Sequence, residues 1–135
     1  GVWIAERLSQ LLPTHPPVGS VDISFYRDDF NERGLSPNVQ PTTVPVDIVG
    51  KPVILVDDVL YTGRTTRAAL NELFDYGRPG SVQLAVLADR GGRQLPIAAD
   101  FCAWPVQLPA DANLVLVRTP VDDPEGKLSW SLDNA

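Results

Sequence analysis

Ten consecutive residues carry the chemistry of this chain: Asp57-Asp58-Val59-Leu60-Tyr61-Thr62-Gly63-Arg64-Thr65-Thr66. The second half reads as a tight turn running into a helix. A helix N-terminus offers unpaired amides and a partial positive charge, which suits a phosphate monoester. Backbone amides from Tyr61 through Thr66 would form the cradle, with hydroxyls from Thr62, Thr65 and Thr66 and positive charge from Arg64. Asp57 and Asp58 have no business binding the anion itself. Two carboxylates beside an anion site suit ligand hydroxyls, a magnesium ion, or both. A sugar phosphate with vicinal hydroxyls satisfies both halves of the stretch.

The elements that must position these groups follow from the flanking pattern. Val53 to Val56 is an uninterrupted apolar run, the mark of a strand buried on both faces, and the two aspartates are expected where it ends. Gly63 permits positive φ, and Thr62 or Thr65 is the expected helix N-cap. Ala68, Ala69, Leu73 and Phe74 give the helix an apolar face, and Gly77 and Pro79 stop it. Val82 to Ala88 is a second apolar strand, with Asp89 at its end. Strand and helix alternation predicts an α/β fold with a mainly parallel sheet flanked by helices. Ligands of such sheets lie beyond the carboxyl ends of the strands, where Asp57, Asp58 and Asp89 fall.

Upstream, Ile4, Ala5, Leu8, Leu11 and Leu12 recur at helical spacing, and Pro13 closes the run. Val18 to Tyr26 reads as a strand. Arg27 to Thr43 is polar and rich in turn residues, a length that points to function when it lies between core elements. Downstream, Asn113 to Thr119 and Leu128 to Leu132 read as late edge strands around an Asp122 to Gly126 turn, whose charges form a solvated face.

Composition narrows the function classes. The 135 residues include 11 basic and 17 acidic ones, a net charge of −6, which weighs against nonspecific polyanion binding. No apolar run approaches the roughly 18 residues of a membrane span, so no membrane partner is expected. Cys102 is the only cysteine, which excludes a disulfide framework and predicts a reducing, cytoplasmic setting with Cys102 as a small buried apolar residue. His15, the only histidine, sits in a Thr-His-Pro-Pro segment as a solvated loop residue. No Gly-Lys-Ser/Thr follows the glycine, so the loop is not a Walker A loop. A receiver domain would also end a strand in two aspartates, with Asp100 downstream, but it has no need of a threonine-rich loop.

The Asp57 to Thr65 stretch, DDVLYTGRT, resembles the phosphoribosyl-diphosphate (PRPP) motif of type I phosphoribosyltransferases, and in particular the pyrimidine operon regulator and uracil phosphoribosyltransferase (PyrR) family. Val21 to Phe30 resembles that family's DITLYRDDL segment, and Val44 to Ile48 its IPVDI. Gly77 to Pro79, Val82 to Leu87, Asp89 to Gly91 and Leu95 to Ile97 also match, so the likeness covers roughly residues 1 to 118. It implies the type I phosphoribosyltransferase fold with a small hood, as a single domain over residues 1–135. It also implies transfer of the phosphoribosyl group of PRPP to uracil, giving UMP and pyrophosphate, with magnesium carried on PRPP. Asp57 and Asp58 would hold the ribose hydroxyls, directly or through magnesium-bound water, and Tyr61 to Thr66 the 5′-phosphate. Asp89, Arg90 and Val106 would lie at the base, while Arg27, Asp28 and Asp29 would belong to a flexible loop that closes over the reaction. In the family the first helix follows a strand and a pyrophosphate loop, of which only Gly1 would remain, so an N-terminally incomplete chain is expected. A homo-oligomer, dimer or higher, is the expected assembly, and regulation of pyrimidine genes the expected second role. A nucleotide-responsive regulator with little catalysis, or a transferase for another base, are the alternatives. Gly92 stands where the family has a histidine, Ala98 where it has an arginine, and Ala103 to Leu108 forms an apolar turn in place of a lysine-bearing one. RNA binding through the family's usual contacts is therefore not expected.

Overall fold

The computed structural model describes residues 2–21, 23, 42–119 and 127–134. Helix α1 (Val2–Leu11) ends two residues before Pro13. Strand β1 (Pro52–Leu60) is followed by helix α2 (Arg64–Tyr76) and strand β2 (Ser81–Asp89). The helix is the crossover that two parallel strands require. β1 and β2 pair in parallel from Pro52 opposite Ser81 to Leu60 opposite Asp89. Strand β3 (Phe101–Pro105) adds in parallel to the other side of β2, giving the sheet order β1-β2-β3. Buried Leu60, Leu84 and Val86 form the core cluster, with Leu55, Ile97 and Ala99 packed against it. Ala68, Ala69 and Leu73 are the buried apolar face of α2, whereas Phe74, expected on that face, is half exposed.

β1 departs from its sequence reading in two ways. It runs past the aspartates to Leu60, because Val59 and Leu60 continue the ladder opposite Ala88 and Asp89. It is also not buried on both faces, since Ile54 is 43% exposed. Among the described residues only β2 pairs with β1, and its other flank faces a cavity of about 970 Å³ beneath α1.

Four further expectations are corrected. No strand forms over 18–21; Ser20 and Thr43 make one isolated antiparallel bridge, with N–H···O distances of 2.8 and 2.7 Å. The next hydrogen-bonded pair would place Val18 opposite Pro45, which has no N–H to give. The remainder of that segment and the loop residues Arg27, Asp28 and Asp29 lie outside the described residues. The late strands do not edge the main sheet. β4 (Ala112–Thr119) and β5 (Lys127–Asn134) pair antiparallel as a separate ribbon, and the Asp122 to Gly126 turn between them lies outside the described residues. Trp104, expected in a turn, stands in β3 and packs on Trp130 of the ribbon, ring centroids 5.6 Å apart. Cys102 is exposed, because every residue of β3 is. His15 is an exposed loop residue, as expected, at φ 44°.

Asp100 has a structural use. Its carboxylate accepts the Leu84 amide at 2.8 Å, and its own amide donates to the Leu84 carbonyl at 2.9 Å. This clasp ties the loop after β2 back onto the middle of β2. Asp100→Ala should lower unfolding stability by about 1–2 kcal/mol, the range of one partly exposed hydrogen bond to a charged acceptor, while Asp100→Asn should lose less. Urea denaturation of the three proteins measures it.

Candidate functional site

The turn between β1 and α2 is built around Gly63. Its φ of 92° and ψ of −5° are left-handed, and it occupies the N-cap position of α2 with no side-chain cap. A Cβ there would lie 3.0 Å from Ile97 Cγ1, so both conformation and space call for glycine. The expected threonine caps are thereby corrected. Thr65 is already the second helical residue, and Thr62 Oγ1 accepts the Arg64 amide at 3.2 Å from outside the helix. The positive φ has taken over the change of direction that a capping threonine would otherwise make.

The segment after β2 is fastened to this turn along its length. The amides of Gln94 and Leu95 both donate to the Thr62 carbonyl, at 2.9 and 3.2 Å, and Arg64 Nε donates to Gln94 Oε1 at 2.8 Å. Arg93 makes the largest set of bonds. Its Nε donates to the Ile97 carbonyl at 2.7 Å, Nη1 to the Tyr61 carbonyl at 2.8 Å, and Nη2 to the Asp89 carboxylate. The pairing with Arg93 holds the Asp89 carboxyl below its ordinary value, and the Gly91 amide bonded to Asp89 Oδ1 helps. Sequence reading assigned Arg93 no role. The one signal available was its spacing, four residues beyond Asp89.

The candidate residues gather in two places. Asp57, Thr65 and Thr66 line one end of the cavity beneath α1, whose remaining wall is largely aliphatic. Tyr61, Asp89, Arg90 and Val106 meet at the exit of β2. There the Val106 amide donates to the Asp89 carbonyl at 2.8 Å, and the Arg90 guanidinium carbon lies 4.0 Å from the Tyr61 ring centroid. Thr66 is buried in the first turn of α2, and Arg64 is exposed.

Asp57 and Asp58 each accept the amide of the next residue at 2.8 Å. Burial pushes the Asp57 carboxyl up from 3.8 to about 7, reinforced by a hydrogen bond to the Asp58 side chain and by that neighbour's charge. Neighbouring carboxylates with spare oxygens are the donor set of a hard cation or of sugar hydroxyls. Among the described residues no cluster of three or more such side chains forms a closed metal cage. The oxygens of the Asp57 and Asp58 carboxylates are chemically suited to magnesium.

A phosphoribosyl transferase domain model matches residues 1–123, and the chain belongs to that family, with the type I phosphoribosyltransferase fold. Within the family it is similar to proteins named Bifunctional protein PyrR. It is 51% identical over 117 residues to that of Pseudomonas aeruginosa, covering 87% of this chain and 69% of the relative. With that of Nitrosococcus oceani it shares 58% over 118 residues, covering 86% and 67%. Among solved structures, a hypoxanthine-guanine phosphoribosyltransferase from Bacillus anthracis matches at 24% identity and a TM-score of 0.45, over 57% of this chain and 44% of that one. No helix among the described residues is long and apolar enough to cross a membrane.

The raised Asp57 value predicts a pH dependence. An acid whose folded value lies above its unfolded one keeps its proton in the fold after losing it in the unfolded chain, so stability falls as pH rises from about 4 to about 7 and then levels. Asp57→Asn removes this penalty. In thermal unfolding without ligand the variant should be the more stable at pH 8, with the difference closing towards pH 4.

Proposed function

We propose that this chain serves a uracil phosphoribosyltransferase, which transfers the 5-phosphoribosyl group of PRPP to uracil to give UMP and pyrophosphate, in a cytoplasmic protein that also answers to uridine nucleotides in controlling pyrimidine genes. One observation carries the reading. Two carboxylates near the end of a parallel strand stand six and five residues before a left-handed glycine that opens a helix, in a chain about half identical to the bifunctional PyrR proteins. As the pyrophosphate leaves, positive charge grows on the anomeric carbon of the ribose. Asp57 and Asp58 hold the ribose hydroxyls and stabilise that charge electrostatically. The amides from Tyr61 to Thr66, with the threonine hydroxyls, hold the 5′-phosphate at the start of α2. Magnesium bound with PRPP supplies neutralisation of the diphosphate and raises the affinity of the acidic pair for the sugar. The base is taken up where Asp89, Arg90 and Val106 meet. The working form is a homo-oligomer.

Attenuation through RNA contacts on this face is weak in this reading. Arg93 spends its guanidinium on two carbonyls and Asp89, Arg90 is buried, and Gly92 and Ala98 bring no charge. Titration with the protein's own operon leader at moderate salt should show no tight, sequence-selective binding. A steep salt dependence of such binding would reveal another basic surface.

Formation of labelled UMP from uracil, PRPP and magnesium tests the activity. Asp57→Asn and Asp58→Asn keep shape and remove charge. Each should lower PRPP affinity or turnover roughly 10- to 150-fold, the equivalent of about 1.5–3 kcal/mol for a hydrogen bond to a charged group. Unchanged magnesium-dependent binding and turnover in both variants would refute the assignment.

A further inference from the structure

A trans peptide unit is planar, so its carbonyl and the amide that follows point in opposite directions. A bond that holds the carbonyl therefore aims the amide. Two consecutive peptides entering the Gly63 turn are held in this way. The Tyr61 carbonyl accepts Arg93 Nη1 at 2.8 Å, and the Thr62 carbonyl accepts the amides of Gln94 and Leu95 at 2.9 and 3.2 Å. The amides on the far side of those peptides belong to Thr62 and Gly63, and among the described residues neither meets an acceptor. Both precede Arg64, the first residue of α2. Unspent amides leading into a helix are donors for an anion.

Arg93 supplies the side-chain part of this hold, and it is braced for the task. Its Nη2 pairs with Asp89 at the end of β2, and the Gly91 amide steadies that carboxylate from 3.0 Å. Its Nε donates to the Ile97 carbonyl at 2.7 Å, and the Ile97 side chain stands against Gly63. A guanidinium presents its donors in fixed directions in one plane, which a lysine ammonium cannot do. We infer that Arg93 is a positioning residue for phosphate binding: by holding the Tyr61 carbonyl it turns the Thr62 amide towards the 5′-phosphate. Arg93 does not touch the phosphate. Without the fork the peptide between Tyr61 and Thr62 is free to rotate, and its amide must be ordered anew whenever a phosphate binds.

This inference rests on the phosphate reading above, and the test separates the two. UMP and uridine are titrated calorimetrically into the full chain and its variants, so that the ratio of the two affinities isolates the phosphate. Arg93→Gln should lower that ratio roughly tenfold, the scale of one hydrogen bond to a charged acceptor. Arg93→Lys should lower it to a similar extent, since the ammonium keeps the charge but not the fork. Asp100→Ala, which loosens the same segment after β2 without removing a partner of Arg93, should leave the ratio unchanged, because loss of folded protein weakens both ligands alike. Two NMR signals of the parent read the arrangement even where a variant folds poorly. The Arg93 Nη protons should resonate separately, as those of a freely rotating guanidinium do not, and the Thr62 amide proton should shift with UMP but not with uridine. An unchanged ratio in Arg93→Gln, a ratio restored to the parent's in Arg93→Lys, an equal fall in Asp100→Ala, averaged Nη protons or an unmoved Thr62 amide would each overturn the inference. A parent that binds UMP no better than uridine would overturn the phosphate reading and this inference with it.

Discussion

Parallel pairing of β1 with β2 is the constraint on which the site depends. Parallel strands send their carboxyl ends out on the same side of the sheet, and the register puts Leu60 opposite Asp89. From that shared edge the Tyr61–Arg64 turn leaves one strand and the Arg90–Ile97 segment the other. Neither segment would meet the other if the strands ran antiparallel. The acidic pair sits just inside the edge and the glycine turn just outside it, so carboxylates and helix amides are only a few residues apart without competing for one ligand group.

Fixing two loops against each other needs polar bonds, because loops have little apolar surface to bury. The Arg93 fork, the doubly bonded Thr62 carbonyl and the Arg64–Gln94 bond supply them. Ile97 adds a contact that only glycine at position 63 allows. Preorganisation of this kind suits a site that holds a multiply charged substrate, since amides already aimed at a phosphate cost little further ordering when it arrives. Asp57 stands apart from this polar lattice. Burial beside Asp58 leaves it in electrostatic conflict, which a cation or a set of sugar hydroxyls would relieve.

Much of this was legible in the sequence, and the failures have physical reasons. The β1–α2–β2 unit was readable because apolar runs, an acidic pair and a glycine turn all agree about one local structure. Which residue caps α2 was not, since the choice between Thr62, Gly63 and Thr65 depends on whether the backbone turns through positive φ. The strand expected from Val18 looked sound by alternation, but its partner carries Pro45, and a strand cannot be read without its neighbour. The same blindness hid the pairing of β4 with β5. Cys102 was assigned to the interior on the habits of its residue type, whereas its place on an outlying strand decided the matter. Arg93 was missed because a fork aimed at two backbone carbonyls leaves no mark in residue identities.

The order of strands has a consequence for how the molecule opens. Among the described residues β2 alone is hydrogen-bonded on both flanks by strands, and it also receives the Asp100 clasp at Leu84. Among the described residues β1 and β3 each present one unpaired row of backbone groups. Local fluctuations can therefore release an outer strand without disturbing the middle one, while freeing β2 requires both neighbours to let go. Amide protons should accordingly survive longest in deuterated solvent along Leu84 to Ala88. The carboxyl end of that same strand carries Asp89, so the most slowly exchanging backbone of the sheet is the one that anchors the segment fastened to the Gly63 turn.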